Sequence, residues 1–165
     1  MKIAISVEST NDLSKDLLLE YDIKVIPFSI ILKDNEFKDG DLTTEQVFDF
    51  VDKNNILPKT TALNEFEYGE WFDSLLKEYD AVIHIALSSG ITSSCSHAVS
   101  ASLKMKNVYV VDSLSLSTGI GLLAIYAREL EREGKEFSRT SKHRQQARQH
   151  DEGVEEPCFR SFERI

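Results

Sequence analysis

Residues 81–98 of the chain read AVIHIALSSGITSSCSHA, and this stretch decides the fold. Its first seven residues, Ala81 to Leu87, are mostly apolar, and the run is long enough for a buried strand but too short for a helix. A hydroxyl-rich loop, Ser88 to Ser94, follows and contains one glycine. We expect Ser93 or Ser94 to cap the helix that comes next. The stretch therefore predicts a strand, a loop of small residues and a helix in direct succession.

This succession is typical of an anion site, because free backbone N–H groups and the helix dipole point at the loop. The loop contains no lysine, arginine or metal ligand, so hydroxyls and amides alone would hold the anion. That chemistry favours a carboxylate or a single phosphate over a polyphosphate. Serine and threonine are also ordinary loop and cap residues, so a purely structural loop is the alternative.

Composition narrows the class of protein. The 165 residues suffice for one domain with a proper core. A net charge of −9 and a pI near 4.9 argue against nucleic acid and anionic membrane surfaces as partners. Only Cys95 and Cys158 are present, so no disulfide framework or metal cluster is indicated and a reducing cytoplasm fits. The first apolar run is too short for a signal peptide, and no membrane span follows. We expect a cytoplasmic protein without membrane insertion.

Strands alternate with helices along the rest of the chain. This order predicts a three-layer α/β fold, with a largely parallel sheet and helices on both faces. A brief hairpin arm is expected at Glu36 to Lys38. The other predicted strands are Lys2 to Val7, Lys24 to Leu32 and Val108 to Val111. Of the other predicted helices, one follows Asp12, one begins at Thr43, one spans Asn64 to Tyr79 and one spans Leu116 to Glu133.

Ligands of such sheets bind beyond the carboxyl ends of the strands. Three hydroxyl-bearing loops lie at that edge, at residues 8–10, 88–94 and 112–117. Their convergence favours a ligand site over a purely structural set of turns. The candidate ligand-binding residues in these loops are Ser9, Ser89, Gly90, Ser93 and Ser113.

Five segments carry a resemblance to the DegV family of bacterial fatty-acid-binding proteins. Each is weak alone, but their order and spacing make the match specific, and it covers residues 1–137 as the first domain of that family. The segments are VESTNDL at 7–13, FKDGDLTTEQVF at 37–48, PKTTALNEF at 58–66, LSSGITSS at 87–94 and VDSLSLSTGIG at 111–121.

The resemblance implies a long-chain fatty acid as ligand, with its carboxylate held by the hydroxyls of Thr60 and Thr92, and no cofactor. In kinase-linked members the protein presents this carboxylate to a separate ATP-dependent fatty acid kinase subunit, so the resemblance implies a carrier and not an enzyme. The chain departs from the family pattern at Glu8, where aspartate is usual, and at Ala62 and Leu63. Thr92 keeps a hydroxyl where the family has serine, and Ser93 replaces a glycine.

Members of the family continue into a second domain that forms the other wall of the acyl tunnel. We therefore expect this chain to be a truncated or frameshifted copy with impaired binding, which self-associates through the exposed interdomain face. From residue 138 the composition becomes polar, without an apolar face. We expect residues 138–165 to be a disordered tail.

Two other functions stay open at this point. A small-anion or phosphosugar-binding domain would use the same loop, Ser88 to Ser94. A hydrolase would combine Asp112 and Ser113 with His84 or His97, but the chain has no G-x-S-x-G nucleophile pattern. His84 lies within an apolar strand, which is typical of a hydrogen-bonded core histidine. We also expect the aromatic residues Phe66, Trp71 and Phe72 to belong to the core.

Overall fold

The computed structural model describes residues 1–134. The predicted tail at 138–165 lies outside them. The elements in chain order are β1 (Ile3–Glu8), α1 (Lys15–Glu20), β2 (Ile23–Ile26), β3 (Ser29–Leu32), β4 (Asn35–Lys38), α2 (Thr44–Asn54), β5 (Lys59–Thr61), α3 (Glu65–Leu76), β6 (Ala81–Ala86), α4 (Ser94–Leu103), β7 (Val108–Asp112) and α5 (Thr118–Arg132).

The main sheet has four strands in the order β2-β1-β6-β7, and every neighbouring pair is parallel. Ile5 of β1 stands opposite Ile23 of β2 and Ile83 of β6. All residues of the two central strands, β1 and β6, are buried. The prediction of a parallel sheet around a buried strand that begins at Ala81 is confirmed.

Helices cover both faces of the main sheet. On one face, Tyr68 and Trp71 of α3 reach Glu8 and Ser6 of β1, and α4 packs beside α3 against β6 and β7. Successive side chains of a strand point to opposite faces, so Ile5 faces the other side. Helix α5 covers that side through its contacts with β1 and β6. The predicted three-layer α/β architecture is therefore correct.

The amino edge of the sheet is closed by the buried side chain of Arg128 in α5. Its guanidinium donates hydrogen bonds to the backbone carbonyls of Ile3 at 3.1 Å, Tyr21 at 2.8 Å and Asp22 at 3.0 Å. A planar guanidinium with five donors suits such a cluster of carbonyls. The loops that follow the strands lie at the opposite, carboxyl edge.

The prediction of one strand over Lys24 to Leu32 is wrong. The chain makes two short strands there: β2 ends at Ile26 in the main sheet, and β3 starts at Ser29 in a second sheet. Pro27 lies between them, and proline has no N–H to continue a sheet ladder. The second sheet is antiparallel with the order β4-β3-β5, and it includes the predicted hairpin arm.

Two local predictions also need correction. Ser93 occupies the N-cap position of α4, but its hydroxyl makes no capping bond, and the Thr92 hydroxyl instead accepts from Ser94 N–H at 3.2 Å. Phe66 is not in the core, since it is 71% exposed, whereas Phe72 is fully buried. Phe66 is the second residue of α3, and the buried residues of this helix are Tyr68, Phe72 and Leu75, so Phe66 lies outside the helix face that packs on the core.

Gly121 marks a close approach between α5 and the turn after β1. A Cβ there would lie 2.7 Å from the Asn11 carbonyl oxygen and 2.7 Å from Leu13 Cδ2. We expect Gly121→Ala to lower the free energy of unfolding by about 1–3 kcal/mol, because backbone blocks the added methyl group. Gly69→Ala in α3 is the matched control, since its nearest atom is Met105 Cε at 4.0 Å. It should raise that free energy by about 0.4–1 kcal/mol. Denaturant titrations of both variants measure the difference, and equal effects would contradict the close contact.

Candidate functional site

The loops after β6 and β7 are joined directly at the carboxyl edge of the main sheet. Ser88 N–H donates to the Ser115 carbonyl at 3.3 Å, and Ser113 N–H donates to the Ala86 carbonyl at 3.1 Å. The Asp112 carboxylate accepts from Ser89 N–H at 3.2 Å. The sheet thus brings together two of the three predicted loops in one rigid unit.

The loop Ser88 to Ser94 uses its own amides. The Ser88 carbonyl accepts from the N–H groups of Ile91 at 2.9 Å and Thr92 at 3.2 Å, and the Ser88 hydroxyl accepts from Gly90 N–H at 3.2 Å. With Ser94 N–H bonded to Thr92, these amides are not free to surround an anion. Four amides, those of Gly90, Ile91, Thr92 and Ser94, are thus engaged within the loop. A cradle of free amides at the start of α4 stays a prediction.

Two of the predicted site residues serve the loops themselves. The Ser9 hydroxyl accepts from Phe28 N–H at 3.2 Å and ties the end of β1 to the start of β3. The buried Ser113 hydroxyl donates to the Ser115 carbonyl at 3.2 Å and accepts from Ser115 N–H at 3.1 Å. Thr10 in the first loop was missed: its Oγ1 is buried and has no hydrogen-bond partner among residues 1–134.

The remaining predicted residues lie at the surface of the site. Ser89, Gly90 and Ser93 are exposed on the loop, and Thr92 is half-buried at its end. Thr60 is exposed in β5, where it pairs with Ile30 in the second sheet. Within residues 1–134 no hydrogen bond joins Thr60 to Thr92, so the two predicted carboxylate-binding hydroxyls stand on separately supported elements.

One contact ties these two elements together. His97 in α4 lies with Nδ1 2.7 Å from the carbonyl oxygen of Leu63, in the segment that follows β5. This contact fixes the end of the second sheet against the helix that begins at the loop.

A buried polar network lies directly beneath the loops. The Glu8 carboxylate accepts from the Tyr68 hydroxyl at 2.6 Å and from Leu87 N–H at 3.0 Å, and it lies 3.2 Å from His84 Nε2. Glu8, Tyr68 and His84 are all fully buried. An ionised carboxylate only accepts hydrogen bonds, so Nε2 of His84 carries a proton and donates it.

The network continues away from the loops to the other ring nitrogen of His84. Nδ1 lies 3.0 Å from the Ser6 hydroxyl oxygen, and that oxygen accepts from Trp71 Nε1 at 2.8 Å. The indole N–H can only donate, so the Ser6 oxygen accepts from Trp71 and links Trp71 to His84. The prediction that His84 is a hydrogen-bonded core histidine is confirmed.

The network keeps a charge inside the protein. Burial raises the pKa of Glu8, but attraction to His84 and hydrogen bonds from His84, Tyr68 and Leu87 outweigh burial, so the pKa lies below its ordinary value. Burial and the neighbouring Glu8 carboxylate raise the pKa of the Tyr68 hydroxyl. Glu8 is therefore the charged acceptor of the network and Tyr68 a neutral donor.

Two open grooves flank α3. One, of about 340 Å³, is lined by Pro27, Lys38 and Trp71 among others, and the second, of about 390 Å³, by Phe66 and Met105 among others. Neither groove is lined by a residue of the three loops. They are thus separate from the candidate site.

Residues 1–134 contain neither a metal-ligand cluster nor a membrane-spanning helix. No group of three or more His, Cys, Asp or Glu side chains in that part of the chain is arranged to hold a metal ion. None of its helices combines the length and the apolar character that crossing a bilayer requires.

The fold and the order of the loops match a known family. A sequence model of the DegV family, described as uncharacterised protein, matches residues 2–154. The chain belongs to the DegV family. A DegV domain-containing protein of Clostridium acetobutylicum is 32% identical over 139 residues, which cover 82% of this chain and 50% of that protein. The match to the DegV family model runs past residue 137, where the resemblance was expected to end.

Solved structures of DegV proteins share the fold. The structure of DegV from Bacillus subtilis, described as a fatty acid binding protein, has a TM-score of 0.76 at 29% identity over 90% of this chain and 54% of that chain. A protein of Thermotoga maritima, described as revealing fatty acid binding function, has a TM-score of 0.73 at 28% identity over 91% of this chain and 56% of that chain. The chain spans about half the length of the curated DegV relatives it matches.

The lowered pKa of Glu8 links stability to pH. Because the pKa is lower in the folded state than the ordinary value of 4.5, Glu8 stabilises the fold above that value, and this contribution is lost as the pH falls through the lowered pKa. In Glu8→Gln an amide NH₂ group replaces one carboxylate oxygen, and this group cannot accept a hydrogen bond from the donor that faces it. We therefore expect the variant to lower the free energy of unfolding by about 1–3 kcal/mol at neutral pH. Denaturant unfolding between neutral and acid pH measures both effects. The loss should shrink as the pH falls, and a loss independent of pH would contradict a charged Glu8.

Proposed function

We propose that this protein is a carrier that binds a long-chain fatty acid and holds the carboxylate with neutral hydroxyls, chiefly those of Thr60 and Thr92. The observation that carries the proposal is the match, over nine-tenths of the chain, to a structure described as a fatty acid binding protein. The carboxyl edge supports it, because the loop exposes the hydroxyl-bearing residues Ser89 and Ser93 there, while four of its amides are bonded within the loop.

The other functions find less support. A phosphosugar or other phosphate ligand would be bound best by free backbone amides, and the loop Ser88 to Ser94 bonds four of its amides internally. A hydrolase would need His84 beside a free serine, yet His84 is bonded to Glu8 and Ser6, and the Ser113 hydroxyl is bonded to Ser115. We therefore propose a binding protein without catalysis of its own.

The partner that would use the bound acid is an ATP-dependent fatty acid kinase subunit, as the family resemblance implies. The exposed loop residues Ser89 and Gly90 support this part of the proposal, because a head group held beside them would be accessible to a second protein.

We expect Thr60→Val and Thr92→Val each to weaken oleate binding by about 1–3 kcal/mol, because each removes one hydroxyl that would donate to a carboxylate. The Thr92 hydroxyl donates to Ser94 Oγ at 3.2 Å in the structure, so its proton would have to turn to the ligand. Thr61→Val is the matched control, since Thr61 is the neighbour of Thr60 in β5 and points to the opposite face of the strand. Isothermal titration calorimetry measures all three affinities. A Thr60→Val/Thr92→Val double variant with wild-type affinity would refute these two contacts, and wild-type protein that does not bind oleate would refute the ligand.

The carboxyl edge also carries exposed apolar side chains. Ile91 is 59% exposed, Leu114 46% and Leu116 54%, and all three lie in the two joined loops. Clustered exposed apolar groups at such an edge favour association. We propose that two copies of the chain associate through this edge.

This association predicts a concentration-dependent dimer in analytical ultracentrifugation. Ile91→Ser combined with Leu116→Ser should shift the population toward monomer, because it removes apolar area from the proposed contact. Leu19→Ser is the control, since Leu19 is 80% exposed on α1 and lies outside the loops. A wild-type protein that stays monomeric at all concentrations would exclude the dimer.

A further inference from the structure

The side chain of His97 joins the loop Ser88 to Ser94 to the strand that contains Thr60. Its Nδ1 lies 2.7 Å from the carbonyl oxygen of Leu63. A carbonyl oxygen can only accept a hydrogen bond, so Nδ1 carries a proton and donates it. The bond therefore runs from α4 to the chain just after β5.

On the α4 side, this bond starts one helical turn beyond the loop. The N–H of His97 donates to the Ser93 carbonyl at 3.1 Å, which closes the first turn of the helix. Four residues of α-helix rise only about 6 Å, so the imidazole is carried on the turn that follows the exposed Ser93. The donor is thus fixed to the end of the loop.

On the other side, the bond ends at a residue that is itself held in the core. Leu63 is only 2% exposed. Asn64 follows it as the N-cap of α3, and its side chain accepts from Phe66 N–H at 2.9 Å and Glu67 N–H at 3.0 Å. Thr60 lies three residues before Leu63, and three residues of extended chain span at most about 11 Å. Leu63 is the first buried residue after Thr60, so it is the point at which the chain leaves the core toward β5.

Strand β5 has little support of its own. All three of its residues, Lys59–Thr61, are exposed, and it is the edge strand of the second sheet, paired with β3 alone. A segment with few buried contacts opens at low free energy. The position of β5 therefore depends on its pairing with β3 and on the support that the chain receives at Leu63.

We propose that His97 is a positioning residue, whose hydrogen bond to the Leu63 carbonyl holds β5 beside the loop and thereby fixes the place of the Thr60 hydroxyl. This inference rests on the proposed function, because it takes Thr60 as a ligand contact. A ligand that first has to order β5 binds less tightly, since the cost of ordering is subtracted from its affinity. His97 removes that cost before the ligand arrives.

The variants His97→Leu and His97→Asn separate the hydrogen bond from the bulk of the side chain. Leucine and asparagine have the same branching, but only asparagine has an N–H at the second atom beyond Cβ, where histidine has Nδ1. With oleate titrated into the whole chain, His97→Leu should weaken binding by about two- to tenfold, the range of one neutral hydrogen bond. His97→Asn should restore the affinity, although asparagine is the poorer helix former.

A double-mutant cycle with Thr60→Val tests whether His97 acts through Thr60. In the Thr60→Val background, His97→Leu should have no further effect on the affinity. Lys104→Met is the matched control, because Lys104 also joins α4 to α3, through Glu65, but at the end of α4 away from the loop. This control should leave the affinity unchanged.

Amide hydrogen exchange gives a reading that needs no ligand. In His97→Leu, residues 59–61 should exchange several times faster than in wild type, because β5 has lost its support at Leu63. His97→Asn and Lys104→Met should exchange there as wild type does. His97→Ala takes the place of His97→Leu if leucine unfolds the protein.

The outcomes separate this inference from the proposed function. If wild-type protein binds oleate and His97→Leu leaves the affinity unchanged, or weakens it equally with and without Thr60→Val, the positioning role is wrong and the ligand stands. If wild-type protein does not bind oleate, the proposed function is wrong and exchange decides. Faster exchange of residues 59–61 in His97→Leu, reversed by asparagine, supports positioning of β5, and unchanged exchange overturns it.

Discussion

The carboxylate of Glu8 is the constraint on which the carboxyl edge of this fold depends. It is fully buried, and it accepts hydrogen bonds from α3, from β6 and from the first amide beyond β6. A charge in such a place is tolerated only when donors surround it, because the cost of leaving water has to be offset by contacts. The carboxylate therefore holds β1, α3 and β6 together, although these elements are distant in sequence. It also holds the start of the loop Ser88 to Ser94, through the Leu87 amide.

Much of the architecture follows from local pattern. The apolar run at Ala81 to Leu87, the alternation of strands with helices and the hydroxyl-bearing ends of the strands suffice to predict the parallel sheet, its three layers and the edge where the loops meet. The capping box of Thr43 and Gln46 is present as well, with both of its hydrogen bonds. These features depend on neighbours along the chain, and sequence spacing contains that information.

The features that sequence did not predict depend on distant partners. Glu8 and His84 are 76 residues apart, and nothing in the spacing of either residue identifies the other. Pro27 is visible in the sequence, but only the position of a second sheet explains why two strands form there and not the one predicted strand. The turn within the loop Ser88 to Ser94 is another such feature: the Ser88 carbonyl and hydroxyl bind three amides of the loop, a conformation that the residue types alone do not specify.

The second sheet has a consequence for the order in which the molecule gains and loses structure. Its edge strands β4 and β5 contain no buried residue, and neither does α2, so these three elements draw little stability from the core, whereas β3 buries Ser29 and Leu32. Regions with few buried contacts open at lower free energy than the core does. We therefore expect β4, α2 and β5 to open before the parallel sheet does, and β5 contains Thr60. The contact between His97 and the Leu63 carbonyl limits that opening, because it holds the chain just after β5 against α4.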